Sequence, residues 1–125
     1  MEPAKSVNVA ELRRMREAGE KIACLTCYDA SFALVEDRAG VDLALVGDSL
    51  GMVIHGRATT TAGTVDDIVY HCRAVKDHFK RAFLVAGDDR VGAVASALEK
   101  LARAKIPITA AQAISARGGR SGLVP

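Results

Sequence analysis

Short aliphatic runs, alternating with segments of helical period, constrain this chain more than any other feature. The runs are Lys21 to Cys27, Val41 to Val46, Ala82 to Ala86 and Ile106 to Thr109. Each has the length of one strand, and their near-continuous apolar character is that of strands covered on both faces. Such strands belong to parallel sheets packed between helices. Asn8 is placed to cap a helix reaching about Ala18, with Val9, Leu12 and Met15 on one face and Gly19 at its stop. Residues 29–39 read as a second helix, apolar at Phe32, Leu34, Val35 and Ala39, with Gly40 ending it. Thr64 opens a third helix. Its hydroxyl can accept from the Asp67 amide, Asp66 and Asp67 fall in the first turn, and Ile68, Cys72, Val75 and Phe79 form one stripe. Val91 to Lys105 reads as a fourth, with Val91, Val94, Ala95, Leu98 and Leu101 aligned. The stretch 47–63 reads as irregular loop. A helix followed by β-α-β-α-β-α-β implies parallel strands joined by right-handed crossovers. The expected fold is therefore α/β, with about four parallel strands and their helices over residues 1–109. An irregular, basic, glycine-containing tail follows over 110–125.

Half of the 125 residues are apolar, but Trp is absent and only five are Phe or Tyr. The core must be built from Ala, Val, Leu and Ile. The net charge of +2 comes from 17 basic and 15 acidic residues that are interspersed, which argues against a nucleic-acid or anionic-membrane partner. No apolar stretch approaches the roughly 20 residues of a transmembrane helix. The start, Met-Glu-Pro-Ala-Lys, has no apolar run behind it, so a cytoplasmic protein is expected. The three cysteines are Cys24, Cys27 and Cys72. Cys24 and Cys27 form a C-x-x-C, but redox chemistry wants that motif at a helix N-terminus, where the thiol pKa falls. A zinc site would need two more ligands, and His71 and Cys72 are the nearest in sequence. Structural thiols are the expectation.

Parallel α/β folds bind ligands at the C-terminal ends of their strands. That rule selects Tyr28 and Asp29, then Gly47, Asp48 and Ser49, then Gly87, Asp88 and Asp89. Acidic residues on neighbouring loops suit a hard divalent cation. Mg²⁺ takes oxygen ligands, often only one or two carboxylates, and keeps waters for the rest. Asp48 leads this group, with Gly47 before it for a tight turn and Ser49 after it as a neutral donor. The competing reading is that Asp48 and Ser49 only cap a following helix. His55 falls in the loop, and His71 and His78 lie seven apart on the third helix. That spacing is typical of packing and solvent contact, and no catalytic role is assigned to them.

Several strings, in this order and at this spacing, go further. They are Ile22-Ala23-Cys24-Leu25-Thr26-Cys27-Tyr28-Asp29-Ala30, Ala39-Gly40-Val41-Asp42, Leu45-Val46-Gly47-Asp48-Ser49-Leu50-Gly51-Met52-Val53 and Val65-Asp66-Asp67-Ile68-Val69-Tyr70-His71, followed by Arg73-Ala74-Val75. From about Lys21 to Ala86 the chain resembles the ketopantoate hydroxymethyltransferase (3-methyl-2-oxobutanoate hydroxymethyltransferase) family. The combination of T-x-Y-D, V-G-D-S-L-G-M and D-D-x-x-Y-H is specific, although each string alone is weak. The resemblance implies part of a (β/α)₈ TIM barrel of the phosphoenolpyruvate/pyruvate type. It implies hydroxymethyl transfer from 5,10-methylenetetrahydrofolate to 3-methyl-2-oxobutanoate, giving ketopantoate for pantothenate synthesis. In the family Mg²⁺ chelates the 2-oxo acid, and a metal on the keto oxygen stabilises the charge formed when the neighbouring C–H is lost. The resemblance makes Asp48 a metal ligand that also engages the substrate, and Ser49 a substrate contact. It also implies a homo-oligomer.

The departures are specific too. The family's D-S-T-L-P-V-T is replaced by Arg57-Ala58-Thr59-Thr60-Thr61-Ala62-Gly63-Thr64. The family's V-A-D, whose aspartate is a second metal ligand, is here Val85-Ala86-Gly87, with Asp88 one position late. The P-F-G-S and K-L-E-G strings are missing, and the general-base glutamate has no counterpart. Ala104-Lys105-Ile106-Pro107-Ile108 resembles a strand that normally comes well downstream, so a truncation, deletion or frame shift is expected. A full barrel takes about 250 residues. Two other readings therefore stand beside the transferase. One is a non-catalytic remnant or partner of a full-length homologue. The other is a Mg²⁺-dependent relative of phosphoenolpyruvate mutase or isocitrate lyase.

Overall fold

The computed structural model describes residues 5–87 together with 99, 100, 102 and 103. Its elements run α1 (Val9–Glu17), β1 (Cys24–Thr26), α2 (Ala30–Arg38), β2 (Leu43–Val46), α3 (Leu50–Val53), a 3₁₀ turn (Thr60–Ala62), α4 (Val65–Val75) and β3 (Phe83–Ala86). The strands form one parallel sheet in the order β1-β2-β3, with Leu25 beside Ala44 and Ala44 beside Leu84. The fold is thus α/β, a small parallel sheet with crossover helices, as the alternation predicts. Glu99, Lys100, Ala102 and Arg103 are helical. The rest of the helix expected over 91–105, the strand expected at 106–109 and the tail over 110–125 lie outside the described residues.

The helix starts follow their local chemistry. The Asn8 side chain accepts from the Glu11 amide at 2.9 Å, and Asp29 accepts from the Phe32 amide at 2.9 Å. Thr64 and Asp67 form a reciprocal capping box. The Thr64 hydroxyl accepts from the Asp67 amide at 3.2 Å, and the Asp67 carboxylate accepts from the Thr64 amide at 2.7 Å. Those contacts to Thr64 hold the Asp67 carboxyl below its ordinary pKa. Gly19 and Gly40 end α1 and α2 with φ of +70° and +81°, a conformation that costs glycine nothing.

The core lies between the sheet and its helices. Val46 of β2 meets Ala33 of α2, Leu50 of α3, and Ile68, Val69, Cys72 and Val75 of α4, with Leu84, Ala86 and Phe79 against the edge. The stripe read along the third helix is this contact. At the N-terminal end of the sheet, the buried Asp42 accepts from the Ala23 amide at 2.9 Å and pairs with Arg81. One carboxylate oxygen of Asp37 accepts from the Lys80, Arg81 and Ala82 amides at 3.1, 2.9 and 3.4 Å.

Three expectations are corrected. The first strand is not buried: Cys24, Leu25 and Thr26 are all exposed, because β1 is paired on one side only among the described residues. The second helix turns its large apolar side chains outward. Phe32 is 63% exposed and Val35 62%, whereas Ala33 and Glu36 are buried. The loop of 47–63 contains a short helix and a 3₁₀ turn that pack together. A Cβ on Gly51 would come within 3.2 Å of the Thr60 carbonyl and 3.3 Å of the Thr59 carbonyl, so glycine permits that approach.

Candidate functional site

The parallel ladder carries three chain segments to one end of the sheet. Cys27 donates its amide to the Leu45 carbonyl at 2.9 Å, and Gly87 donates to the Val46 carbonyl at 2.9 Å. The segments entering at Tyr28, Gly47-Asp48-Ser49 and Gly87 are therefore neighbours. Leu45 lies beneath them: a Cβ added at Gly47 or Gly87 would meet its side chain at 3.5 and 3.6 Å. Gly47 itself has no positive φ, and its extra Cβ would make an ordinary contact. The tight turn expected to require glycine there does not require it. The turn is held instead by Leu50 donating to the Gly47 carbonyl at 3.2 Å and Gly51 to the Asp48 carbonyl at 3.0 Å.

Asp48 is half-buried at the rim. Among the described residues no donor and no cation reaches its carboxylate. Ser49 stands at the N-cap position of α3, yet its side chain makes no capping hydrogen bond. Its hydroxyl bonds instead to the phenol of Tyr28. Tyr28 is only 8% exposed, and its carbonyl accepts from Nδ1 of His71 at 2.7 Å. A carbonyl can only accept, so the neutral ring carries its proton on Nδ1. The rings of Tyr28 and His71 meet edge to face with centroids 5.9 Å apart, and Tyr70 meets His71 the same way at 5.2 Å.

Tyr28 and His71 are the site members that strand logic and helical spacing undervalued. Position at a strand end selects Tyr28 without a role, and helical spacing assigns His71 to packing. The signal lay in the Y-D and Y-H pairs of the motifs, but their meeting is a tertiary fact. Asp29, selected beside Tyr28, caps α2. His55 is exposed, and His78 donates its amide to the Val75 carbonyl at 3.0 Å. Asp88 and Asp89 lie outside the described residues.

The cysteines do not form a redox or metal centre among the described residues. All three are free thiols, with Cys24 exposed and Cys27 and Cys72 buried. Burial pushes the Cys27 and Cys72 thiols up to about 11, the opposite of an activated thiolate. Among the described residues no three His, Cys, Asp or Glu side chains gather around one point. The described end of the sheet thus offers the Asp48 carboxylate, which no described donor engages, and on the adjoining Ser49 a hydroxyl bonded to that of Tyr28. That set fits a cation such as Mg²⁺, which binds through one or two carboxylates and retains waters.

The family model described as ketopantoate hydroxymethyltransferase matches residues 6–121. This chain belongs to that family. A 3-methyl-2-oxobutanoate hydroxymethyltransferase of Burkholderia thailandensis is 49% identical over 115 residues, 91% of this chain and 42% of that protein. One of Paraburkholderia phymatum is 48% identical over the same shares. One of Burkholderia multivorans is 57% identical over 81 residues, 65% of this chain and 30% of that protein. The chain therefore spans about two-fifths of the length of the first relatives it matches. No helix among the described residues is long and apolar enough to cross a membrane.

Proposed function

We propose that this end of the sheet is the Mg²⁺ and 2-oxo acid half of a ketopantoate hydroxymethyltransferase site, within part of a (β/α)₈ barrel of the phosphoenolpyruvate/pyruvate type. The observation that carries the reading is the uncompensated carboxylate of Asp48 beside the paired hydroxyls of Ser49 and Tyr28. A partly exposed carboxylate that no described donor or cation engages is open to a hard cation that keeps several of its waters. Asp48 would hold the metal, with Asp88 as a second ligand, and Ser49 would contact the substrate. Bound Mg²⁺ would supply Lewis acidity at the keto oxygen of 3-methyl-2-oxobutanoate. The co-substrate is 5,10-methylenetetrahydrofolate, and the protein is cytoplasmic. The test is folate-dependent ketopantoate formation by the purified chain with Mg²⁺. Activity lost in Asp48→Ala supports the reading, and undiminished activity in that variant would refute it.

A second reading concerns association, and exposed apolar surface favours it. Leu25 at the β1 edge is 51% exposed, and Phe32 and Val35 stand out from α2. An open strand edge next to apolar side chains pairs readily with another chain. We propose that the chain associates with itself or with a full-length homologue. Light scattering after size exclusion, alone and mixed with a homologue, checks this. A monomer in both samples counts against it.

A further inference from the structure

Resting on the reading of this end of the sheet as a 2-oxo acid site, we propose that His71, Tyr28 and Ser49 form a positioning relay. In it His71 fixes Tyr28, and Tyr28 fixes the Ser49 hydroxyl for an acceptor oxygen of the substrate. Three observations converge on Tyr28. Its backbone is tied by His71 Nδ1 at 2.7 Å. Its ring is gripped edge to face by His71, whose other contact is Tyr70. Its hydroxyl is spent on Ser49. These contacts join residues 43 and 21 positions apart, from the end of β1, the middle of α4 and the start of α3.

Ser49 enters α3 with its own backbone already helical (φ −57°, ψ −14°), not the extended backbone from which a serine caps, so its hydroxyl is not committed to the helix amides. It makes no bond to them and faces the phenol. A serine hydroxyl otherwise rotates to suit any neighbour. Two hydroxyls joined by one hydrogen bond have one proton left to donate. With Tyr28 as donor, that proton is on Ser49, beside Asp48. Hydrogen-bonded chains also polarise one another, which strengthens the outgoing donor. A carboxylate or keto oxygen held by the Asp48 cation would meet a donor already oriented, so less entropy is lost on binding.

The experiment uses the full chain with Mg²⁺ and measures 3-methyl-2-oxobutanoate affinity by calorimetry, together with urea unfolding. The variants are Tyr28→Phe, Ser49→Ala, their combination, His71→Ala and His71→Asn. Tyr28→Phe keeps the ring and the carbonyl that His71 holds and removes only the hydroxyl. Tyr28→Phe and Ser49→Ala should each weaken affinity about three- to tenfold, the scale of one hydrogen bond. The double variant should be no weaker than Ser49→Ala. His71→Ala should weaken affinity, and His71→Asn, whose side-chain amide can donate where Nδ1 does, should restore it. Wild-type affinity in Tyr28→Phe, additive losses, or no rescue by asparagine would each overturn the relay. If the wild-type chain binds no 2-oxo acid, the functional reading fails. The relay is then judged by the unfolding cycle, where coupling between Tyr28 and Ser49 supports it and strict additivity overturns it.

Discussion

The two ends of this three-stranded sheet both carry aspartates, and they use them in opposite ways. At the N-terminal end Asp42 and Asp37 are both consumed. Asp42 holds the Ala23 amide and Arg81, and Asp37 gathers three successive amides ahead of β3. Arg81 also donates to the Lys5 carbonyl at 3.3 Å and accepts the Val7 amide at 2.8 Å, which ties down the segment ahead of α1. At the C-terminal end Asp29 is spent on the α2 cap, whereas Asp48 has no such partner among the described residues. One residue type thus serves two purposes. Where the chain enters the strands, charge is satisfied and fixes the fold. Where it leaves them, the Asp48 carboxylate engages no described donor or cation.

This contrast is broken most severely by Asp42→Ala. The substitution leaves Arg81 and the Ala23 amide without their acceptor at a buried position. Removing one partner of a buried ion pair costs about 3–5 kcal/mol. A loss of about 3 kcal/mol is expected, since Arg81 keeps some contact with solvent. Urea unfolding measures it. A loss below about 0.5 kcal/mol, the level of an ordinary surface change, would remove the distinction between the two ends.

Glu36 lies between those ends and belongs to neither pattern. It is 6% exposed, and one of its carboxylate oxygens is buried without a hydrogen-bond partner among the described residues. Burial first, and the nearby Asp29 carboxylate second, raise its pKa above the ordinary value. Between the ordinary value and the raised one, the native chain holds a proton that the unfolded chain has released. Stability therefore falls as pH rises through that window. Glu36→Leu should abolish that fall and stabilise the chain by about 1–3 kcal/mol at neutral pH, the scale of an unsatisfied buried polar group. Because Asp67 has a lowered pKa and pulls the other way, the informative quantity is the difference between variant and wild type across pH. A difference that does not change with pH would show that the carboxyl is ionised and solvated.

What could be read in the sequence divides along similar lines. Features set by near neighbours were legible. The Thr64 cap, the stripe from Ile68 to Val75 and the α/β alternation all follow from local chemistry and period. Features set by who packs against whom were not. Nothing in the Lys21 to Cys27 run says that its strand lies at an edge. The apolar positions read along α2 are Phe32, Leu34, Val35 and Ala39, but the residues the helix buries are Ala33 and Glu36. The Tyr28 to Ser49 bond joins segments brought together only by the β1–β2 register. Capping and spacing rules therefore placed Ser49 correctly in the chain and misjudged where its hydroxyl goes.

A smaller effect sharpens the first point. Thr64→Ala should cost about 1 kcal/mol, the usual value of an N-cap, because it removes one half of the reciprocal box at the start of α4. The other half, Asp67 on the Thr64 amide, survives. Urea unfolding of the variant, beside Asp67→Ala, checks whether the two halves are coupled. Since α4 carries His71, affinity for the 2-oxo acid provides a second reading of the same change.

The smallest stability effect is expected where the functional effect is greatest. Asp48→Asn replaces a carboxylate that bonds to no described residue by a neutral isostere, so unfolding should move by no more than about 0.5 kcal/mol. If Asp48 is the cation ligand proposed above, loss of its charge should nonetheless weaken Mg²⁺ binding, measured by calorimetry on the folded chain. Asp42→Ala and Asp48→Asn then form a pair: one aspartate whose loss unfolds the sheet, and one whose loss the sheet does not feel. If Asp48→Asn destabilised as much as Asp42→Ala, Asp48 would be a structural anchor like its counterparts at the other end. The cation would then need another ligand.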